Sequence, residues 1–140
     1  MITKHPAASG NDGYLIDTCI WVDYLRNLDK PHVNDFERLL EKGQVFLCET
    51  TFSEICFGAR DLKQLVEYQS YFGALPFLST PKDWPLKVGA MGFKLRKAGQ
   101  MPFLADLLIA YTAIHFDVPL LTRDGDFDIF QKLFGLKLLS

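Results

Sequence analysis

At 140 residues the chain has the size of one domain, long enough to bury roughly two thirds of the surface it exposes when unfolded. Apolar residues make up 49% and charged residues 23%, scattered rather than in blocks, which excludes a low-complexity chain and fits a soluble globular protein. A formal net charge of −2 argues against a uniformly basic nucleic-acid clamp but leaves room for a local basic patch, and surplus carboxylates are what hard metal ions need.

No apolar run reaches membrane-spanning length, and no hydrophobic core follows Lys4 and His5 as a secretion signal would require. A cytoplasmic protein without a membrane partner is the expectation. Cys19, Cys48 and Cys56 form no CxxC pair and sit among apolar neighbours, as small core side chains in a reducing compartment do.

Residues 1–13 hold Pro6, Ser9, Gly10, Asn11 and Gly13 with few apolar side chains, and read as a flexible lead-in to a domain over residues 14–140. Tyr14-Leu15-Ile16 suits a buried strand, and Asp17 stands where that run ends. Cys19, Ile20, Trp21, Val22, Tyr24 and Leu25 then recur at spacings that give a helix a wide apolar face. Asp23 in that helix reads as a surface residue. Pro31 begins a second helix through Phe36, Leu39 and Leu40, which Gly43 stops.

Val45-Phe46-Leu47-Cys48 is a continuous apolar run, hence a second buried strand. Helices follow over residues 52–59 and 61–72, then a short strand over 75–78. A longer helix covers 83–98, with Pro85 in its first turn and Gly99 after its end. Residues 103–116 are apolar nearly all round and predict a buried central helix, whose one acid, Asp106, lies in the first turn. A strand over 118–122, a turn over 123–126, a helix over 127–134 and a last strand over 136–139 complete the chain. Strands alternating with helices imply an α/β fold with a mostly parallel central sheet covered on both faces.

Each acid has an ordinary explanation of its own. Asp17 suits the N-cap of the first helix. Thr51-Phe52-Ser53-Glu54 matches a capping box, with Glu54 reaching back to the Thr51 amide. Asp106 suits the positive end of a helix dipole, although apolar neighbours on both sides demand that it face something polar. Asp124 and Asp126 flank Gly125 as turn residues, and Asp126 also suits the cap of the next helix.

Placed together, the acids point elsewhere. Asp17 and Asp124 follow the carboxyl ends of predicted strands, while Glu54 and Asp106 begin flanking helices. In a parallel α/β fold such places meet at one edge, where ligands bind. Carboxylates gathered in one cleft repel one another unless a cation neutralises them. Mg2+ or Mn2+ does so through oxygen ligands, and can acidify a water and stabilise charge on a phosphate being displaced. That is an arrangement for phosphodiester hydrolysis.

Competing motifs fail. Asp124, Asp126 and Asp128 imitate the start of a calcium loop, but its turn glycine would fall at Ile129 and its closing glutamate at Gly135. No phosphate-binding loop, dinucleotide fingerprint or HExxH occurs, and His115 on the apolar helix reads as a core-edge residue. A phosphoacceptor signalling domain would place an Asp after the strand over 75–78, where Ser79 and Thr80 stand. A non-catalytic module in which every acid is a helix cap is the other rival.

The series Asp17 in LIDT, Glu54 in TTFSEICFGA, Asp106 in LADLLIAYTA and Asp124 in LLTRDGDF resembles the acidic signature of PIN domains. It is most similar to the VapC-type toxins of bacterial toxin–antitoxin pairs. The resemblance implies a PIN-like three-layer α/β/α sandwich and a Mg2+-dependent endoribonuclease, with Mn2+ able to substitute. It further implies a homodimer that is inhibited by a cognate antitoxin. Carried over by position, Asp17, Glu54 and Asp106 are the catalytic metal ligands, Asp124 is the fourth acid, and Asp126 shares its role.

Thr18, Thr122 and Arg123 then fall on the substrate rim. Arg123, Lys94, Arg96 and Lys97 are the nearest cations for RNA phosphates. One departure stands out: the family often has Asn two residues after the first acid, where this chain has Cys19.

Overall fold

Alternation along the strands decides the architecture. In the computed structural model, which describes residues 13–139, the strands are β1 (Tyr14–Ile16), β2 (Val45–Cys48), β3 (Phe77–Leu78), β4 (Leu120–Leu121) and β5 (Leu138–Leu139). Leu15, Phe46, Cys48, Leu78 and Leu120 point into one apolar cluster, while Ile16, Val45, Leu47, Phe77 and Leu121 point into another. Successive strand residues face opposite sides of a sheet, so two cores on two faces follow from the period of two.

The helices are α1 (Thr18–Leu25), α2 (Pro31–Glu41), α3 (Glu49–Phe57), α4 (Leu62–Gly73), α5 (Trp84–Lys97), α6 (Leu104–Phe116) and α7 (Asp128–Phe134). Ile20 and Trp21 of α1, Phe36 of α2, Ile55 of α3 and Phe72 of α4 fill the second core. Val88, Met91 and Leu95 of α5, Leu107 to Ala113 of α6 and Phe130 of α7 fill the first. The result is a three-layer α/β/α sandwich. The sheet order is β3-β2-β1-β4-β5, and all four strand pairings are parallel.

β1 therefore lies at the centre, and Asp17 at its carboxyl end is 5% exposed. The strands are shorter than expected at β3 and β4, because Pro76 and Pro119 cannot donate to a ladder. Both prolines still accept, from Leu47 N (3.0 Å) and Leu15 N (2.9 Å).

The expected lead-in lies outside the described residues except for Gly13, which is buried where the chain enters β1. A Cβ on Gly13 would stand 2.2 Å from Cε2 of Phe46, so the chain enters the sheet pressed against that ring.

Three expectations are corrected. β2 runs straight into α3, which begins at Glu49, so Thr51 is inside the helix and no capping box forms. Thr51 is fully buried, with its hydroxyl 3.3 Å from Cys48 Sγ. Asp23, expected at the surface, is 3% exposed. Its carboxylate faces His32 and Arg123 rather than solvent. α6 carries the expected buried face, but His115 at its far end is exposed.

Candidate metal centre at the carboxyl edge of the sheet

Asp17 ends β1 in an extended conformation, φ −68° and ψ 152°, and caps α1 by accepting from Thr18 N at 2.8 Å through Oδ1. Its other oxygen, Oδ2, accepts from Thr122 Oγ1 at 2.7 Å and from Cys19 Sγ at 3.2 Å. Burial raises the Asp17 pKa, the hydrogen bonds from Thr122, Cys19 and Thr18 oppose it, and the charge of Asp124 raises it further. The cap expected of Asp17 is thus real, and it occupies only one side of the carboxylate.

Glu54 projects from α3 and is exposed; its Oε1 accepts from Thr18 Oγ1 at 2.6 Å. Both hydroxyls expected on the rim, Thr18 and Thr122, are therefore bonded to carboxylates of the cluster. Thr122 Oγ1 also accepts from Asp124 N at 3.0 Å. Asp124 in turn begins the 3-10 turn Gly125–Phe127 and accepts from Asp126 N at 2.9 Å. Asp124, not Asp126, is the cap here.

Asp106 stands in the first turn of α6. Among the described residues, Asp106, Asp124 and Asp126 each offer an oxygen within 4.8 Å of the others. Asp17 and Glu54 stand outside that group but act on it. Burial pushes the Asp106 pKa up to about 6, and the charges of Asp17, Asp124, Glu54 and Asp126 add to the effect in that order. Asp106 thus feels four other acids, two from its own group and two from outside it.

The donor set fits a hard divalent cation. It consists of carboxylate oxygens, and two oxygens held by one Mg2+ at about 2.1 Å lie about 3–4 Å apart, a spacing that falls inside the 4.8 Å within which these acids gather. A cleft between Asp106 and Asp126, walled by Leu95, Met101, Phe103 and Phe130, opens beside this group.

The expected phosphate cations are placed differently from one another. Arg123 is half-exposed and paired with Asp23. Arg96 lines a groove with Met101 and Pro102, residues that also border the acid cleft, and its guanidinium lies 5.9 Å from the Phe93 ring. Lys97 Nζ lies 5.5 Å from the same ring. Lys94 lines a separate groove with Tyr111 and Phe134. The sequence pattern missed the Cys19 thiol as a donor to Asp17, and it missed Asp23 and His32 altogether.

An α/β sandwich with an acidic cluster at the carboxyl edge of a parallel sheet is an arrangement suited to nucleases that use a metal ion, and the comparisons with known proteins point to the same class. The chain belongs to the PIN domain family, whose model matches residues 14–133. Within it, the chain is 30% identical over 130 residues to ribonuclease VapC11 of Mycobacterium tuberculosis, covering 90% of this chain and 97% of that protein. The VapC ribonuclease Mb1587 of Mycobacterium bovis matches to the same extent.

Solved structures share the fold. VapBC2 from Rickettsia felis, bound to a fragment of promoter DNA, aligns with TM-score 0.71 at 20% identity over 90% of this chain and 96% of that chain. VapBC-1 from nontypeable Haemophilus influenzae aligns with TM-score 0.69 at 22% identity over 91% and 96%.

Proposed function

We propose that the chain is a metal-dependent endoribonuclease and the toxin of a type II toxin–antitoxin pair. It would act in the cytoplasm, with Mg2+ as its ion, or Mn2+ in its place. The observation that carries the reading is the meeting of Asp106, Asp124 and Asp126 within 4.8 Å, under the field of Asp17 and Glu54. The curated relatives are named as ribonucleases, and the similar solved structures are toxin–antitoxin complexes. A cognate antitoxin is the partner this supports. Leu86, Phe93, Met101, Phe103 and Leu104 are exposed apolar side chains, which favours a second protein surface, including a homodimer contact.

In this reading Asp106, Asp124 and Asp126, the acids that meet, would hold the ion, and Asp17 and Glu54 would complete the set from outside that group. Once bound, Mg2+ supplies charge for the phosphate and lowers the pKa of a water. Thr122 and Thr18 fix the Asp17 and Glu54 carboxylates, so two of the acids are aimed before any ion arrives. Asp106, with its pKa raised to about 6, would be ionised and available to the ion above that pH. No side-chain nucleophile is required. No helix among the described residues is long and apolar enough to cross a membrane.

RNA cleavage assayed with Mg2+ and with a chelator tests the proposal; cleavage that persists undiminished in the chelator removes it. Thermal melting separates it from the rival in which the acids merely cap helices, a role Asp17 and Asp124 do fill. A cation bound at one hundred times its Kd stabilises by about 2.7 kcal/mol, whereas caps give no Mn2+ response.

The pH dependence follows from Asp106. Its folded pKa of about 6 lies above the ordinary 3.8, so between those values the folded protein holds a proton that the unfolded chain has released. Metal-free stability therefore falls as pH rises through this window, while the affinity for Mn2+ rises. The Mn2+-induced shift in Tm is expected to be larger at pH 7.5 than at pH 5, and an equal shift at both would contradict this account.

A further inference from the structure

Among the described residues, the most heavily engaged charge outside the acid cluster is Asp23. It sits on α1, 3% exposed, and receives Arg123 Nε at 2.6 Å on Oδ2 and Arg123 Nη2 at 3.3 Å on Oδ1. His32, near the start of α2, places Nε2 2.7 Å from the same Oδ2. An ionised carboxylate only accepts, so this nitrogen carries the hydrogen. Three segments, one of them 100 residues further along the chain, meet at one buried carboxylate.

The position of Arg123 gives the arrangement its meaning. β4 ends at Leu121, and the next residues leave the sheet ladder carrying Asp124 and Asp126. Thr122 ties this segment to Asp17, which belongs to the site itself. Arg123 ties it to Asp23, which stands outside the acid group and is fixed by α1 and His32. A two-pronged Arg–carboxylate pair sets direction as well as distance. By charge alone, a guanidinium next to a cation site weakens that site, so what Arg123 gives the site is placement.

We propose that Asp23 is a positioning residue of the acid site: through its ion pair with Arg123 it fixes the segment that presents Asp124 and Asp126 to the ion. Resting on the proposed function, this adds a group outside the acid cluster. Loss of such an orienting partner commonly weakens metal affinity by about 10–100-fold.

Mn2+ titration by calorimetry of the full chain without RNA tests it, using Asp23→Asn, Arg123→Gln and the double variant, with circular dichroism to confirm folding. Each single variant is expected to bind Mn2+ about tenfold more weakly, and the double no more weakly than either single. Through-space charge alone gives a different pattern: Arg123→Gln tightens binding, Asp23→Asn loosens it, and the double returns to the wild-type value.

Wild-type or tighter Mn2+ affinity in folded Arg123→Gln overturns the proposal, as does a double variant whose loss is the product of the single losses. If Asp23→Asn alone does not fold, Arg123→Gln and the charge-neutral double variant carry the test. A wild-type protein that binds no Mn2+ would overturn the metal-site reading itself, a result distinct from either of these.

Discussion

Replacing Asp106 with Asn is expected to lower the kcat for Mg2+-dependent RNA cleavage by more than a hundredfold while the protein stays folded. Loss of a partner that merely orients a ligand costs about 10–100-fold, and Asp106 is in the group that would hold the ion directly. Asn keeps the shape and removes the charge on which burial and four neighbouring acids converge. For the same reason the metal-free variant should gain stability at pH 7, by about 1 kcal/mol once its half-exposed position is allowed for.

Asp17→Asn makes the contrast. It should also lose cleavage, but the relief of a buried charge is offset here by a weakened α1 cap and a weakened bond from Thr122, together about 1 kcal/mol, so no comparable gain in stability is expected. Denaturant melts and cleavage rates on the same preparations check both signs. If both variants fold and cut RNA at the wild-type rate, the acid site is not where the chemistry occurs.

Trp21→Ala should act through stability alone, with a loss of about 3–5 kcal/mol, a large share of the 5–15 kcal/mol typical of a domain. Trp21 is fully buried and meets Phe36 edge-on at 4.7 Å and Phe72 at 5.2 Å. It thereby joins α1 to α2 and α4. The cavity left by alanine cannot close without moving three helices against the sheet. The denaturation midpoint should drop, while the fraction still folded keeps its Mn2+ affinity; weakened Mn2+ binding by folded protein would mean that this core also shapes the site. Trp21→Phe should cost much less, because the indole Nε1 has no hydrogen-bond partner among the described residues and phenylalanine omits it.

How much of this was legible in the sequence depended on range. The strand, acid and helix from Tyr14 to Leu25 could be read because periods of 2 and 3.6 are local, and the same holds for the order of the other elements. The capping box at Thr51 failed because a four-residue pattern does not fix where a helix begins. β2 passed directly into α3, and the true partner of Glu54 is Thr18, 36 residues away.

Asp23 was misplaced for the same reason, since its partner Arg123 lies 100 residues further on. The sequence offers Arg123 as a candidate phosphate contact, and the pairing of its half-exposed guanidinium with Asp23 is what no local pattern shows. Cys19 was an oddity for which the sequence offered no compensation. Its thiol reaches Asp17 Oδ2 at 3.2 Å and so supplies a weak donor in that place.

Asp17 divides its oxygens, one for the amide that starts α1 and the other for the hydroxyl that closes β1 onto β4. Both bonds are made by the polypeptide itself. The aim of Asp17 therefore owes nothing to an ion, whatever the cleft holds. In the proposed function, a returning cation would find this carboxylate already in place. The concentration of free cation would then act as a throttle on output, separate from whatever governs how much of the protein is made.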